Sequence, residues 1–311
     1  MSNESLGGDF ILVGFSDQPK LEKILFVIVL ICYLLTLVGN TIIIMVSSVD
    51  PMLQTPMYYF LTNLSFVDLC LTTSVAPQLL WNLHGTDKTI TPIGCAIQLY
   101  ASLALGSTEC ILLTVMAYDR YAAVCRPLHY VTVMHPRLCQ SLVGVSWLSG
   151  LGNTLIQGTI TLRLPLCGNR KIYNFMCEVP TMIKLACVDV HANEVQLFMA
   201  SLILLLLPLS LILISYGYIA QAVMRIRSVQ AWRKALGTCG SHLLVVSLFY
   251  MTITAVYIHP NSSYAQSQGK FITLLYTIVT PTLNPLIYTL RNKDVKGALK
   301  RLVQRDQNIA D

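Results

Sequence analysis

Hydrophobic residues fall into seven blocks along the chain, at 24–47, 57–80, 95–124, 138–160, 195–224, 236–258 and 271–290, separated by shorter polar stretches. Each block holds about the 20 apolar residues that carry a helix across the roughly 30 Å hydrocarbon layer of a membrane. Helices are the expected form, because lipid offers no partner to an unpaired backbone amide. The pattern predicts an all-α membrane protein: a tail at 1–23, a bundle of seven transmembrane helices over 24–290, and a last segment at 291–311. In that segment Val295, Ala298, Leu299 and Leu302 recur at helical spacing among Lys296, Lys300 and Arg301. A short amphipathic helix on an anionic lipid surface is expected there, with membrane lipid as a partner. No internal repeat, heptad or low-complexity linker interrupts the series.

Composition agrees. Apolar residues make up 54% and charged residues 12%, about half the roughly 25% usual for soluble chains, and mean hydropathy is +0.62. A formal net charge of +6 would suit nucleic acid, but its distribution points elsewhere. With the first tail outside, thirteen Lys and Arg fall on the inner segments and eight on the outer ones, against five and eight acids. The inner face is thus strongly positive and the outer face neutral, which predicts an extracellular N-terminus and a cytoplasmic C-terminus, with no nucleic acid as partner. No cleavable signal pattern opens the chain, so the first block acts as its own insertion signal. Asn3 begins an Asn-Glu-Ser sequon in the outer tail and is a candidate glycosylation site.

Four cysteines, Cys95, Cys167, Cys177 and Cys187, fall on the outer, oxidising side. Four allow three pairings. Cys95 opens the third span, so a bridge from it would pin the long outer loop 161–194 over the bundle mouth. Spacings of about ten residues match no compact zinc pattern, and no metal is expected from them.

Several short motifs stand in order along the spans. They are Gly39-Asn40, Leu64-Ser65-Phe66-Val67-Asp68, Trp147 and Asn284-Pro285-Leu286-Ile287-Tyr288. Beside them stand Pro56-Met57-Tyr58, Met116-Ala117-Tyr118-Asp119-Arg120-Tyr121, Lys234-Ala235 with Thr238-Cys239 and Ser241-His242, and Pro281-Thr282-Leu283. The first set resembles the general marks of rhodopsin-like G-protein-coupled receptors, and the second those of the odorant receptors among them. The resemblance covers nearly the whole chain. It implies a plasma-membrane receptor for a small-molecule odorant, coupled to a heterotrimeric stimulatory G protein that raises cyclic AMP, with no catalytic residue and no cofactor except a candidate sodium ion. It implies Cys95–Cys177 as the general receptor bridge and Cys167–Cys187 as a second one. It also assigns Asp119, Arg120, Tyr121, His242 and Tyr288 to coupling and activation. The chain departs from the usual odorant-receptor pattern at Met251, where glycine is common, and at Ala122, where a larger aliphatic is common.

The residues give this reading chemistry. Asp119 and Arg120 end an apolar helix, a costly place for charge unless it acts there. Paired, they hold the helices closed; released, Arg120 turns to an inserted partner peptide. Asp68 and Glu109 are carboxylates within spans, with Asn284 near Asp68, and such a pair shares a proton or holds a cation. The expected ligand pocket lies among the outer parts of the third, fifth, sixth and seventh spans. Its candidates are Ser102, Leu103, Gly106 and Ser107, then Ala200, Ser201 and Leu204, then Tyr250, Ile253, Thr254 and Tyr257, with Thr277 on the seventh. That lining is small, apolar and hydroxylic, which suits a volatile with one polar group, and it lacks the carboxylate that would hold an amine. A transporter would show repeated halves or broken helices, and an intramembrane enzyme a nucleophile and base; neither pattern is present. The same fold sensing a metabolite outside the nose remains an alternative at the level of sequence.

Overall fold

Proline stands in the first turn of the first four long helices of the computed structural model, at Pro19, Pro56, Pro92 and Pro136. The N–H that proline lacks is one that a helix start leaves unpaired anyway, and its φ is already helical. The structure describes residues 8–226, 228–257, 263–291 and 295–301. Asn3 and Leu302 lie outside these residues. The first four helices are Pro19–Val49, Pro56–His84, Pro92–Cys125 and Pro136–Leu162. The fifth runs through His191–Ser201, a wider π segment Leu202–Leu206, and Leu207–Ile226. The sixth is Val229–Tyr257, and the seventh runs through Ser263–Leu274, a π segment Leu275–Val279, and Thr280–Arg291. A short helix over 295–301 follows, with Val295 and Ala298 buried and Lys296, Lys300 and Arg301 exposed. Arg301 pairs with Asp50 at 2.7 Å and so ties this helix to the end of the first.

The helices outlast the apolar blocks at most ends, because helical hydrogen bonding continues where the side chains turn polar. The basic stretch between the fifth and sixth apolar blocks is mostly helix among the described residues: Arg225 lies in the last turn of one helix and Arg233 in the first turns of the next. Among the described residues six helices are long and apolar enough to cross a membrane. The fourth has the length but not the apolarity. Its polar side chains turn to the third helix: Thr154 Oγ1 donates to Tyr100 O at 2.9 Å, and Asn153 Nδ2 to Ser107 Oγ at 2.9 Å. The outside of the bundle is greasy instead. Val27, Ile31, Leu34 and Val38 of the first helix are exposed, which suits lipid and not water.

The third helix is the axis, packed against the second, fourth, fifth and sixth. The seventh is held by its prolines. Pro285 and Pro281 have no N–H for the carbonyl four residues earlier. Each freed oxygen is taken by a neighbouring helix: Asn40 Nδ2 donates to Pro281 O at 3.2 Å, and Thr72 Oγ1 to Thr277 O at 3.3 Å. Gly39 lets the first helix approach closely, since a Cβ there would sit 2.9 Å from the Pro285 ring.

At one end the loops form a small three-stranded sheet. Strand β1 (Phe10–Leu12) lies between β2 (Thr89–Ile90), antiparallel, and β3 (Lys171–Ile172), parallel. Disulfides Cys95–Cys177 and Cys167–Cys187 join this end, and Phe15 stacks on Phe175 beneath the sheet at 5.9 Å between centroids.

Candidate functional site

Toward the disulfide-bonded end, the third, fourth, fifth and sixth helices line a cavity of about 50 Å³. Ser102, Leu103, Gly106 and Ser107 line it from the third helix, Ala200, Ser201 and Leu204 from the fifth, and Ile253 and Tyr257 from the sixth. A Cβ added to Gly106 would meet nothing within 4 Å, so that glycine leaves open space in the third helix. The π segment of the fifth helix widens its turn and brings both Leu204 and Leu205 to the wall.

Three expected residues lie outside the lining. Tyr250 is one turn deeper, its hydroxyl donating to Cys110 O at 3.2 Å. Thr254 follows Ile253 and so points about 100° away around the helix; its buried hydroxyl has no partner among the described residues. Thr277 sits inside the second π segment, where ordinary helical spacing misplaces a side chain. It donates to Thr273 O at 2.7 Å, and its carbonyl faces the second helix. The fourth helix, absent from the expected wall, supplies Asn153 and Gln157. Their signal was present: two amides four residues apart in a lipid-spanning block belong on its interior face.

On the far side of Tyr257 lies a polar cap. Tyr257 packs on Tyr276, whose hydroxyl donates to Glu178 at 2.6 Å. Glu178 also accepts from Asn174 Nδ2 at 2.6 Å and Thr273 Oγ1 at 3.4 Å. Burial raises its carboxyl above the usual range, against the pull of these hydrogen bonds. Beyond it opens a second cavity of about 420 Å³, walled in part by Lys171, Lys184 and Lys270.

The opposite end carries the charged pair. Asp119 is fully buried and bonds the Arg120 guanidinium, with Nε at 3.0 Å and Nη2 also in contact. Its other oxygen accepts from Tyr130 Oη at 2.7 Å, so Asp119 also holds the segment that follows the third helix. Tyr121 packs near Tyr218 at 5.9 Å, with Arg126 over its ring. His242 Nδ1 pairs with Tyr216 Oη at 2.7 Å, joining the fifth and sixth helices. His242 Nε2 and Tyr288 Oη are buried with no partner among the described residues.

Between the two ends lie the intramembrane carboxylates. Asn284 Nδ2 donates to both oxygens of Asp68, at 3.2 and 3.0 Å. Glu109 is buried within electrostatic reach of Asp68. Both of its oxygens and Asn284 Oδ1 lack partners among the described residues, a costly arrangement unless something else binds there.

A mainly helical, multi-pass bundle with a chamber near one end and an aspartate–arginine pair at the other has the architecture of a G-protein-coupled receptor. Comparison with known proteins narrows the class. Residues 29–306 match the olfactory receptor family. The chain is 63% identical to human Olfactory receptor 2G3 over 97% of its length and 98% of the relative's. It is 60% identical to mouse Olfactory receptor 2C1 over 100% and 99%, and 59% identical to human Olfactory receptor 2G6 over 97% and 96%. The chain belongs to the olfactory receptor family.

Proposed function

We propose that this receptor binds a small, neutral, mainly hydrophobic odorant in the chamber between its third, fourth, fifth and sixth helices. Binding favours one arrangement of the sixth helix, releases Arg120 toward a stimulatory G protein and raises cyclic AMP. The chamber end faces outward in the plasma membrane and the Arg120 end faces the cytosol. Only a difference in ligand affinity between the two arrangements can drive this shift.

The observation that carries the reading is the chamber itself, largely apolar and free of charged side chains among its described lining residues. Burial there supplies affinity at about 25 cal/mol per Å² of apolar surface. Asp68, Glu109 and Asn284 hold a sodium ion between the two ends; the orphaned oxygens there support this. An odorant panel with a cyclic-AMP readout, in cells that bring the receptor to the surface, is the test. Some small neutral odorants should activate, and Gly106→Phe, which fills the chamber, should silence them while surface labelling persists. An odorant response that survives this substitution would place the ligand elsewhere.

A further inference from the structure

The other two serine hydroxyls of the chamber already have acceptors in the protein. Ser102 donates to Leu99 O at 3.1 Å and Ser201 to Leu197 O at 2.8 Å, each within its own helix. Gln157 Nε2 reaches Gln196 O at 3.4 Å. Ser107 differs. A serine within a helix usually turns its hydroxyl proton back to a carbonyl one turn earlier. Ser107 Oγ instead accepts a hydrogen bond from Asn153 Nδ2 at 2.9 Å, and among the described residues no acceptor takes its proton. Both side chains line the chamber. A hydroxyl that accepts one hydrogen bond becomes a stronger donor of its own. Next to it, Gly106 leaves room for ligand atoms.

We infer that Ser107 is the specificity-determining group of the chamber, that Asn153 is its positioning residue, and that the ligand is a small neutral carbonyl compound: an aldehyde, ketone or ester. The inference rests on the reading that the chamber takes the odorant. A carbonyl oxygen needs one donor and brings no proton of its own, which matches the free Ser107 hydroxyl. An alcohol brings a second proton, for which the acceptors at hand are the amide oxygens of Asn153 and Gln157 rather than Ser107, so alcohols should bind more weakly than carbonyl compounds instead of being excluded. A protonated amine would meet a donor with no opposing carboxylate, and a carboxylate would be buried without a cation; both are costly. An alkane would leave the Ser107 proton unsatisfied.

The test uses straight-chain aldehydes, methyl ketones and methyl esters of graded length, with the alcohols, amines and alkanes of the same lengths, on the full-length receptor at the cell surface. Carbonyl compounds should activate at the lowest concentrations. Ser107→Ala should raise their half-maximal concentration about tenfold, the worth of one hydrogen bond in a dry site, and Ser107→Thr should retain them. Asn153→Asp supplies an acceptor for the Ser107 proton and should lower the carbonyl-to-alcohol preference, which a merely structural role for Asn153 would leave alone. Carbonyl responses unchanged in Ser107→Ala, or a wild-type receptor answering another class and ignoring carbonyls, would overturn the proposal while leaving the chamber reading intact. If a surface-labelled wild-type receptor answers no compound of any class, the chamber reading falls and the proposal with it.

Discussion

The chamber and the Arg120 end handle their polar groups differently. Around the chamber, Ser102 and Ser201 are satisfied within their own helices, and the bonds that cross between helices, Asn153 to Ser107 and Gln157 to Gln196, join only the third, fourth and fifth helices. At the other end the bonds run between elements: Tyr130 to Asp119, and Tyr216 to His242. His242 Nε2 and Tyr288 Oη are left over there. Any movement of the sixth helix must break bonds at this end and could make new ones with the leftover atoms. One region is built to be occupied and the other to be rearranged, which is the division of labour a receptor needs.

The comparison can be broken most sharply at Arg120. Arg120→Ala should leave surface labelling intact and cut odorant-driven cyclic AMP by at least about tenfold, or 1.4 kcal/mol of coupling. A normal response would refute the latch. Next come two glycines of the same helix seam. At Gly150 a Cβ would collide with Thr108 Oγ1 and Ala104 O. Gly150→Ala should therefore destabilise the solubilised receptor by about 1–3 kcal/mol, seen as a lower Tm. Gly106→Ala faces open space and should leave Tm nearly unchanged while weakening the odorant response. Equal losses of Tm would mean that the chamber is not open at Gly106.

Glu109→Gln sharpens the middle of the bundle. It should abolish the sodium dependence of activation; dependence equal to the wild type would remove the ion from this site. The smallest effect concerns Glu178. Burial makes its folded carboxyl hold a proton more tightly than the unfolded chain does. Folding therefore gains stability as pH falls through the raised folded value, with no further gain below the unfolded carboxylate value of about 4.3. Tm should rise on mild acidification, and Glu178→Gln should lose that part of the rise. A Gln variant with the same pH profile would assign the effect to another group.

Much of this was legible in the residues. Hydrophobic periods placed the helices, and composition required lipid around them. The motifs in order pointed to the family, and the paired cysteines followed from that resemblance. Legibility failed where backbone geometry departs from the α-helix. Thr277 was expected to complete the chamber wall from the seventh span, but it lies in a π segment and hydrogen-bonds within its own helix. The fourth helix was counted as one apolar block among seven, so its amides were overlooked as wall. Asn153 shows the general difficulty: a polar residue in a span signals an interior face, but which neighbour it meets is decided only by how closely Gly150 lets two helices come together.

The sheet over the bundle mouth carries a practical consequence. Its middle strand, Phe10–Leu12, lies close to the N-terminus, and both flanking strands depend on it for backbone partners. A deletion trimmed through Leu12, of the kind often made to improve production, would strip β2 and β3 of their ladders at once and loosen the segment that lays Phe15 on Phe175. Shortened versions of the receptor that keep Phe10 to Phe15 preserve the roof.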